Sequence, residues 1–262
     1  MTLVTRFTAD QLPVEVHDSE DAMGATAATL AAGFLRDVVE ERGQARVVIA
    51  TGNSQYAFTD ALADERVPWD RVEVFHMDEY VGIDDRHPAS FQRWIRERIE
   101  QRFAPARVHY LSGEGDPRAV ADRYEQELRA APLDLVCMGI GENGHLAFNE
   151  PGDADFDDER WARVVRLTAE SRRQQVDEGH FPDPRSVPEL AISLTIPALL
   201  SAERVQVCVP EQRKAQAVRA ALTDEIGPAC PATVLRRTPH ARLLLEPTSA
   251  ALLDGAEPTI SR

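Results

Sequence analysis

The chain has 262 residues, 43% of them hydrophobic, and a formal charge of −15. That length supplies the core of one large α/β domain, and we read residues 1–262 as a single domain. The acidic balance excludes nucleic acid and an anionic membrane surface as main partners. It leaves room for an anionic small molecule, because a local site can be positive on an acidic protein.

The elements alternate along the chain. Val14–His17 reads as a short strand, and 19–42 as an alanine-rich helix with Ser19 at its N-cap. Arg46–Ala50 is a buried strand, followed by a helix over Ser54–Asp64. Val72–Met77 is the next strand, with a helix over 88–102. Val108–Leu111 is a strand, 117–130 a helix, and Leu133–Ile140 the central strand. Residues 151–162 are acidic and irregular. Later strands are expected at Val164–Leu167, Leu190–Leu194, Val205–Val209 and Leu243–Leu245, with helices at 195–202 and 211–222. This β–α alternation implies an α/β fold: a mostly parallel sheet with helices on both faces. The acidic stretch 152–160 and the loop 178–188 are the candidate mobile elements.

The N-terminal MTLVTRFTADQLPVEV lacks the apolar core of a secretory signal, and no apolar run approaches the roughly 20 residues of a membrane span. Cys137, Cys208 and Cys230 have no metal-ligand spacing. They read as buried thiols in a reducing, cytoplasmic compartment.

Four stretches carry residue types suited to chemistry, each at a strand's carboxyl end, where open α/β sheets bind ligands. Ala50-Thr51-Gly52-Asn53-Ser54 joins a strand to a helix. Its backbone N–H groups and two hydroxyls suit a phosphate, although a plain βα turn with Ser54 as helix cap is the simpler reading of this segment alone. Phe75-His76-Met77-Asp78-Glu79-Tyr80 places two adjacent carboxylates at a strand end. One can face a ligand while the scaffold holds the other. A metal held by His76, Asp78 and Glu79 is disfavoured, because neighbours in extended chain do not converge on one ion.

The third stretch, DLVCMGIGENGHLAFNEP at 134–151, is the most informative. Gly139, Gly141 and Gly144 let the backbone turn sharply before His145, and Glu150 follows before Pro151. The glycines spell GxGxxG, but the motif lies on a mid-chain strand and Pro151 limits a following helix, so a dinucleotide fingerprint is rejected. His145 and Glu150 are acid/base groups, or a buried structural pair. The fourth, Glu211-Gln212-Arg213-Lys214, opens a helix from which Lys214 can reach a phosphate, or stand solvated.

MDEYVGI at 77–83 and GIGENGHLAFNEPG at 139–152 closely resemble the glucosamine-6-phosphate deaminase (isomerase) family. TGNS resembles that family's phosphate loop, and VPEQRKAQAV its lysine-bearing helix. The resemblance spans roughly residues 15–250, in the same order. It implies a modified Rossmann-type fold and conversion of glucosamine 6-phosphate and water into fructose 6-phosphate and ammonia, with no cofactor, metal or nucleotide. It assigns ring opening to His145, oriented by Glu150 and Asn143, and proton transfer between C2 and C1 to Asp78. Thr51, Gly52, Asn53, Ser54 and Lys214 become the phosphate-binding residues. The implied partner is a small sugar phosphate, and a homo-oligomer is compatible with a family of monomers and hexamers.

The chain departs from the family pattern in three places. Asn143 is aspartate in some members, and is expected to modify the histidine's pKa rather than abolish activity. The family's phosphate-binding arginine falls in a stretch that here reads SRRQQVDEGHFPDPRSVP, where Arg172 and Arg173 are the candidates. The region after Glu150 is acidic where allosteric members are basic, so activation by an amino-sugar phosphate is not expected. Two alternatives are a 6-phosphogluconolactonase-like hydrolase and a non-catalytic sugar-phosphate-binding protein. The first lacks the MDEY carboxylate and the FNE tail, and the second normally accompanies a DNA-binding segment.

Overall fold

The computed structural model describes residues 3–253. An antiparallel hairpin, β1 (Leu3–Ala9) and β2 (Leu12–His17), turns at Asp10, whose φ is 52°. Helix α1 (Glu20–Arg42) follows, with the Ser19 hydroxyl accepting from Ala22 N–H and Gly43 closing it in the left-handed conformation. β3 (Ala45–Ile49) leads through a 3₁₀ turn at Asn53–Gln55 into α2 (Tyr56–Ala61). β4 (Val72–His76) and β5 (Asp78–Tyr80) are separated by Met77 alone.

α3 (Phe91–Ile95) passes through a π-helical turn at Arg96–Glu100 into α4 (Gln101–Phe103). β6 (Arg107–His109), α5 (Pro117–Arg129) and β7 (Leu135–Met138) come next. β8 (Ala162–Arg166), α6 (Ala169–Asp177), β9 (Leu190–Leu194), α7 (Ile196–Leu200), β10 (Arg204–Val209), α8 (Ala215–Thr223) and β11 (Ala241–Leu245) complete the described chain.

The main sheet has the order β1-β2-β11-β10-β7-β3-β4-β6 and is parallel throughout except for β1. Its central strands are apolar on both faces because helices cover both. Val47, Ile49, Leu135, Cys137, Cys208 and Leu244 face the layer containing α1, α2 and α3. Their alternating neighbours Val48, Val136, Met138, Val207 and Leu243 face α5, α7 and α8. The mostly parallel α/β sheet read from the sequence is therefore present.

The strands expected at Val164–Leu167 and Leu190–Leu194 are β8 and β9, but they lie outside that sheet. They join β5 in a separate three-stranded antiparallel sheet, order β5-β9-β8. Alternation predicts a strand; which sheet it enters depends on non-local pairing. β1 and α6 were not anticipated. β1 is largely solvated, and α6 (AESRRQQVD) carries almost no apolar face. Of the candidate mobile segments, 178–188 buries Phe181 and Val187 against Tyr80, Phe91 and Phe148.

Candidate active site

Met77 is the joint between the two sheets, its carbonyl accepting from Leu194 N–H at 2.8 Å. Asp78 therefore sits where the chain leaves one sheet for the other, at the floor of a cleft lined by the carboxyl ends of β3, β4, β7 and β10. His76 anchors it from below. Its Nδ1–H donates to Asp78 carbonyl at 2.9 Å, while Nε2 accepts from Leu111 N–H at 2.9 Å. Both ring nitrogens are engaged in backbone bonds, so His76 is a scaffold residue and no metal ligand. Burial holds its pKa down at about 4, which keeps it neutral. Among the described residues, no group of three or more His, Cys, Asp or Glu side chains is arranged to hold a metal ion.

The adjacent carboxylates have different environments. Glu79 accepts from Tyr80, Phe91 and Gln92 N–H and from the Ser90 hydroxyl, at 2.7–3.2 Å, and so caps the start of α3. Asp78 faces the cleft, 7% exposed. Burial, reinforced by the Glu79 charge, pushes its carboxyl up to about 8. Such a group holds its proton at neutral pH and becomes a base once a cation approaches it.

His145 comes from the glycine-rich turn. A Cβ on Gly141 would lie 2.2–2.4 Å from its ring, so glycine there is what lets the imidazole fold back over the strand end. Gly144 has φ +86°, a conformation glycine adopts without strain. Nδ1–H of His145 donates to Asn143 Oδ1 at 2.8 Å, and Asn143 Nδ2 donates to Glu150 Oε2 at 2.9 Å. Asn143 thus relays orientation from Glu150, whose oxygen is 3.8 Å from the ring. This tautomer leaves Nε2 as a proton acceptor. Burial lowers the pKa of His145, with Glu150 opposing that shift and Lys214 adding to it.

Thr51–Ser54 forms the neighbouring wall. Gly52 has φ 93°, and neither short helical start here has a side-chain cap, so Ser54 is no helix cap. A Cβ on Gly139 would lie 2.7 Å from Ser54 Oγ, so the close approach of the two loops requires glycine. Lys214, 5% exposed, closes the far end. The structure thus brings Thr51, Gly52, Asn53, Ser54, Asp78, His145 and Lys214 into one cleft, with Asn143 and Glu150 behind the histidine.

Arg172 and Arg173 do not join them. The Arg172 guanidinium is spent on the Pro184 carbonyl, and neither arginine lines the cleft. Arg213 lines it instead, together with Gln174, Gln175, Glu178 and His180 from α6 and the turn beyond. Arg213 belongs to the 211–214 stretch already singled out, but sequence reasoning missed Gln174, Gln175, Glu178 and His180, because a polar helix without an apolar stripe gives no signal of facing inward.

The profile of the family described as glucosamine-6-phosphate isomerases/6-phosphogluconolactonase matches residues 18–244. A glucosamine-6-phosphate deaminase of Exiguobacterium sibiricum is 30% identical over 225 residues, covering 84% of this chain and 85% of that protein. One from an Arthrobacter species is 31% identical over 236 residues, covering 87% and 89%. Among solved structures, a monomeric glucosamine-6-phosphate deaminase superposes with a TM-score of 0.84 at 27% identity, covering 91% of this chain and 99% of that one. A 6-phosphogluconolactonase from Shewanella baltica shares the fold, with a TM-score of 0.75 at 20% identity over 94% and 100%. By sequence profile and by curated relatives alike, the chain belongs to the glucosamine-6-phosphate isomerase/6-phosphogluconolactonase family.

Proposed function

We propose that this protein is a glucosamine-6-phosphate deaminase, converting glucosamine 6-phosphate and water into fructose 6-phosphate and ammonia. The observation that carries the reading is a buried carboxylate, Asp78, sharing one cleft with an oriented neutral imidazole, His145. Lactone hydrolysis has no evident use for such a carboxylate; an aldose–ketose proton shift does.

The C2 proton of the sugar is acidic only when C1 is an open-chain aldehyde. Nε2 of His145 takes the O1 proton and returns it to O5, opening the ring. Glu150, through Asn143, stabilises the imidazolium formed in between. The substrate's ammonium then draws Asp78 into its ionised form. Asp78 removes the C2 proton and delivers it to C1 through an enolamine. Water adds at C2, and ammonia leaves. The Thr51–Ser54 loop and Lys214 hold the phosphate throughout. In this reading the chain works in the cytoplasm, in amino-sugar catabolism, on a small sugar phosphate and without a cofactor.

The test is ammonia release from glucosamine 6-phosphate by the purified protein, with 6-phosphogluconolactone assayed beside it. Ammonia with stoichiometric fructose 6-phosphate supports the reading. Lactone hydrolysis without ammonia overturns it.

A further inference from the structure

The cations at the far end of the cleft are already engaged by carboxylates. Lys214 and Arg213 are its cations, and each already has a carboxylate partner. Lys214 Nζ is 3.6 Å from Glu178 Oε1, and Arg213 Nη2 is 3.4 Å from the same oxygen. Arg213 Nη1 lies 3.4 Å from Glu142, and its Nε bonds to Glu211. Glu178 and Glu211 line the cleft beside the two cations, and Glu142 pairs with Arg213 from outside that lining.

Glu178 is built into this end rather than folded over it. Its side chain is 8% exposed, Gln174 Nε2 donates to Oε1 at 2.8 Å, and His180 Nε2 lies 3.5 Å from Oε2. Burial opposes its ionisation, but His180, Lys214, Gln174 and Arg213 outweigh burial and hold the carboxyl down at about 2. It is an anion at every working pH. A phosphate dianion arriving at Lys214 meets that anion on the same ammonium. The attraction available to the phosphate is divided, and the two anions repel across a few ångströms of poorly screened space. A neutral terminal hydroxyl suffers no such penalty.

We propose that Glu178 is a specificity-determining residue that engages Lys214 and Arg213 and so lowers the site's preference for a phosphorylated amino sugar over the unphosphorylated one. The proposal rests on the deaminase reading of this cleft.

The test compares wild type with Glu178→Gln, which keeps the volume and an acceptor for Lys214. Steady-state ammonia release is measured with glucosamine 6-phosphate and with glucosamine, and binding of inorganic phosphate by calorimetry. Removing the charge is expected to raise kcat/KM for glucosamine 6-phosphate by about tenfold or more, through KM, and to tighten phosphate binding in parallel. Any change for glucosamine is expected to be several-fold smaller than that for glucosamine 6-phosphate. Unchanged or weaker phosphate binding in the variant would overturn the proposal and leave Glu178 as a structural anchor for Lys214. Glu178→Met supplies the same comparison should the glutamine variant misfold. If neither sugar releases ammonia from any of the proteins, the deaminase reading fails, while phosphate calorimetry still decides the role of Glu178.

Discussion

Asp78 makes the cleft costly to fold, and that cost can be measured without any substrate. Its carboxyl titrates at about 8 in the native protein, against 3.8 for an unperturbed aspartate. Between those values the native state holds a proton that the unfolded chain has lost. The stability contributed by the neutral form is fully present below pH 3.8 and is lost as pH rises through 8. Over that interval the wild type loses about 1.4 kcal/mol per pH unit relative to a variant that cannot ionise there. Asp78→Asn is that variant. No side-chain hydrogen bond ties the Asp78 carboxyl to the described residues, and the amide faces the open cleft. From pH 5.5 to 8 the variant should therefore gain about 3 kcal/mol over wild type, or roughly 6–12 °C in Tm for a chain of this size. Above the native titration the gap levels off. Paired thermal melts across pH 5.5–9 provide the assay, and taking the difference cancels every other titrating group. A gap that is flat or narrows as pH rises would refute the reasoning, because it would mean that Asp78 is already ionised in the native protein. The same variant should be inactive and fail to exchange the C2 proton.

Other substitutions test the remaining parts. Gly141→Ala places a Cβ within 2.4 Å of the His145 ring, and should lower kcat by about a hundredfold while the protein keeps its native circular dichroism. His145→Gln should lower kcat by about a hundredfold or more with KM little changed, and pre-opened substrate analogues should recover part of the loss. Lys214→Ala should raise KM for glucosamine 6-phosphate with kcat nearly constant, since the phosphate contact proposed for it would persist through the cycle. Glu79→Gln leaves one acceptor oxygen for four donors, three of them at the start of α3, and should cost about 3–5 kcal/mol in urea unfolding.

Much of this was legible in the chain. Short apolar runs such as Arg46–Ala50 and Val205–Val209 read as strands buried on both faces, and helical segments between them imply a mostly parallel sheet. Ligand chemistry in such a sheet belongs at the strand carboxyl ends, and the residues of all four candidate stretches meet there. Gly141 and Gly139 could be marked as turn residues from sequence; that they make room for the His145 ring and the Ser54 hydroxyl needed the structure.

What only the tertiary structure decided is which strand pairs with which, and which polar side chains turn inward. β5, β8 and β9 carry ordinary strand patterns, yet they form a second, antiparallel sheet whose junction at Met77 places Asp78 at the cleft floor. Glu178 opens a loop that the sequence marks only as mobile, and it proves to be a partner of Arg213 and Lys214 at the end of the site. Backbone periodicity is a local property that one strand or helix reports by itself. Strand partnership and the burial of a charge depend on residues far apart in the chain, and are set only when distant elements close around each other.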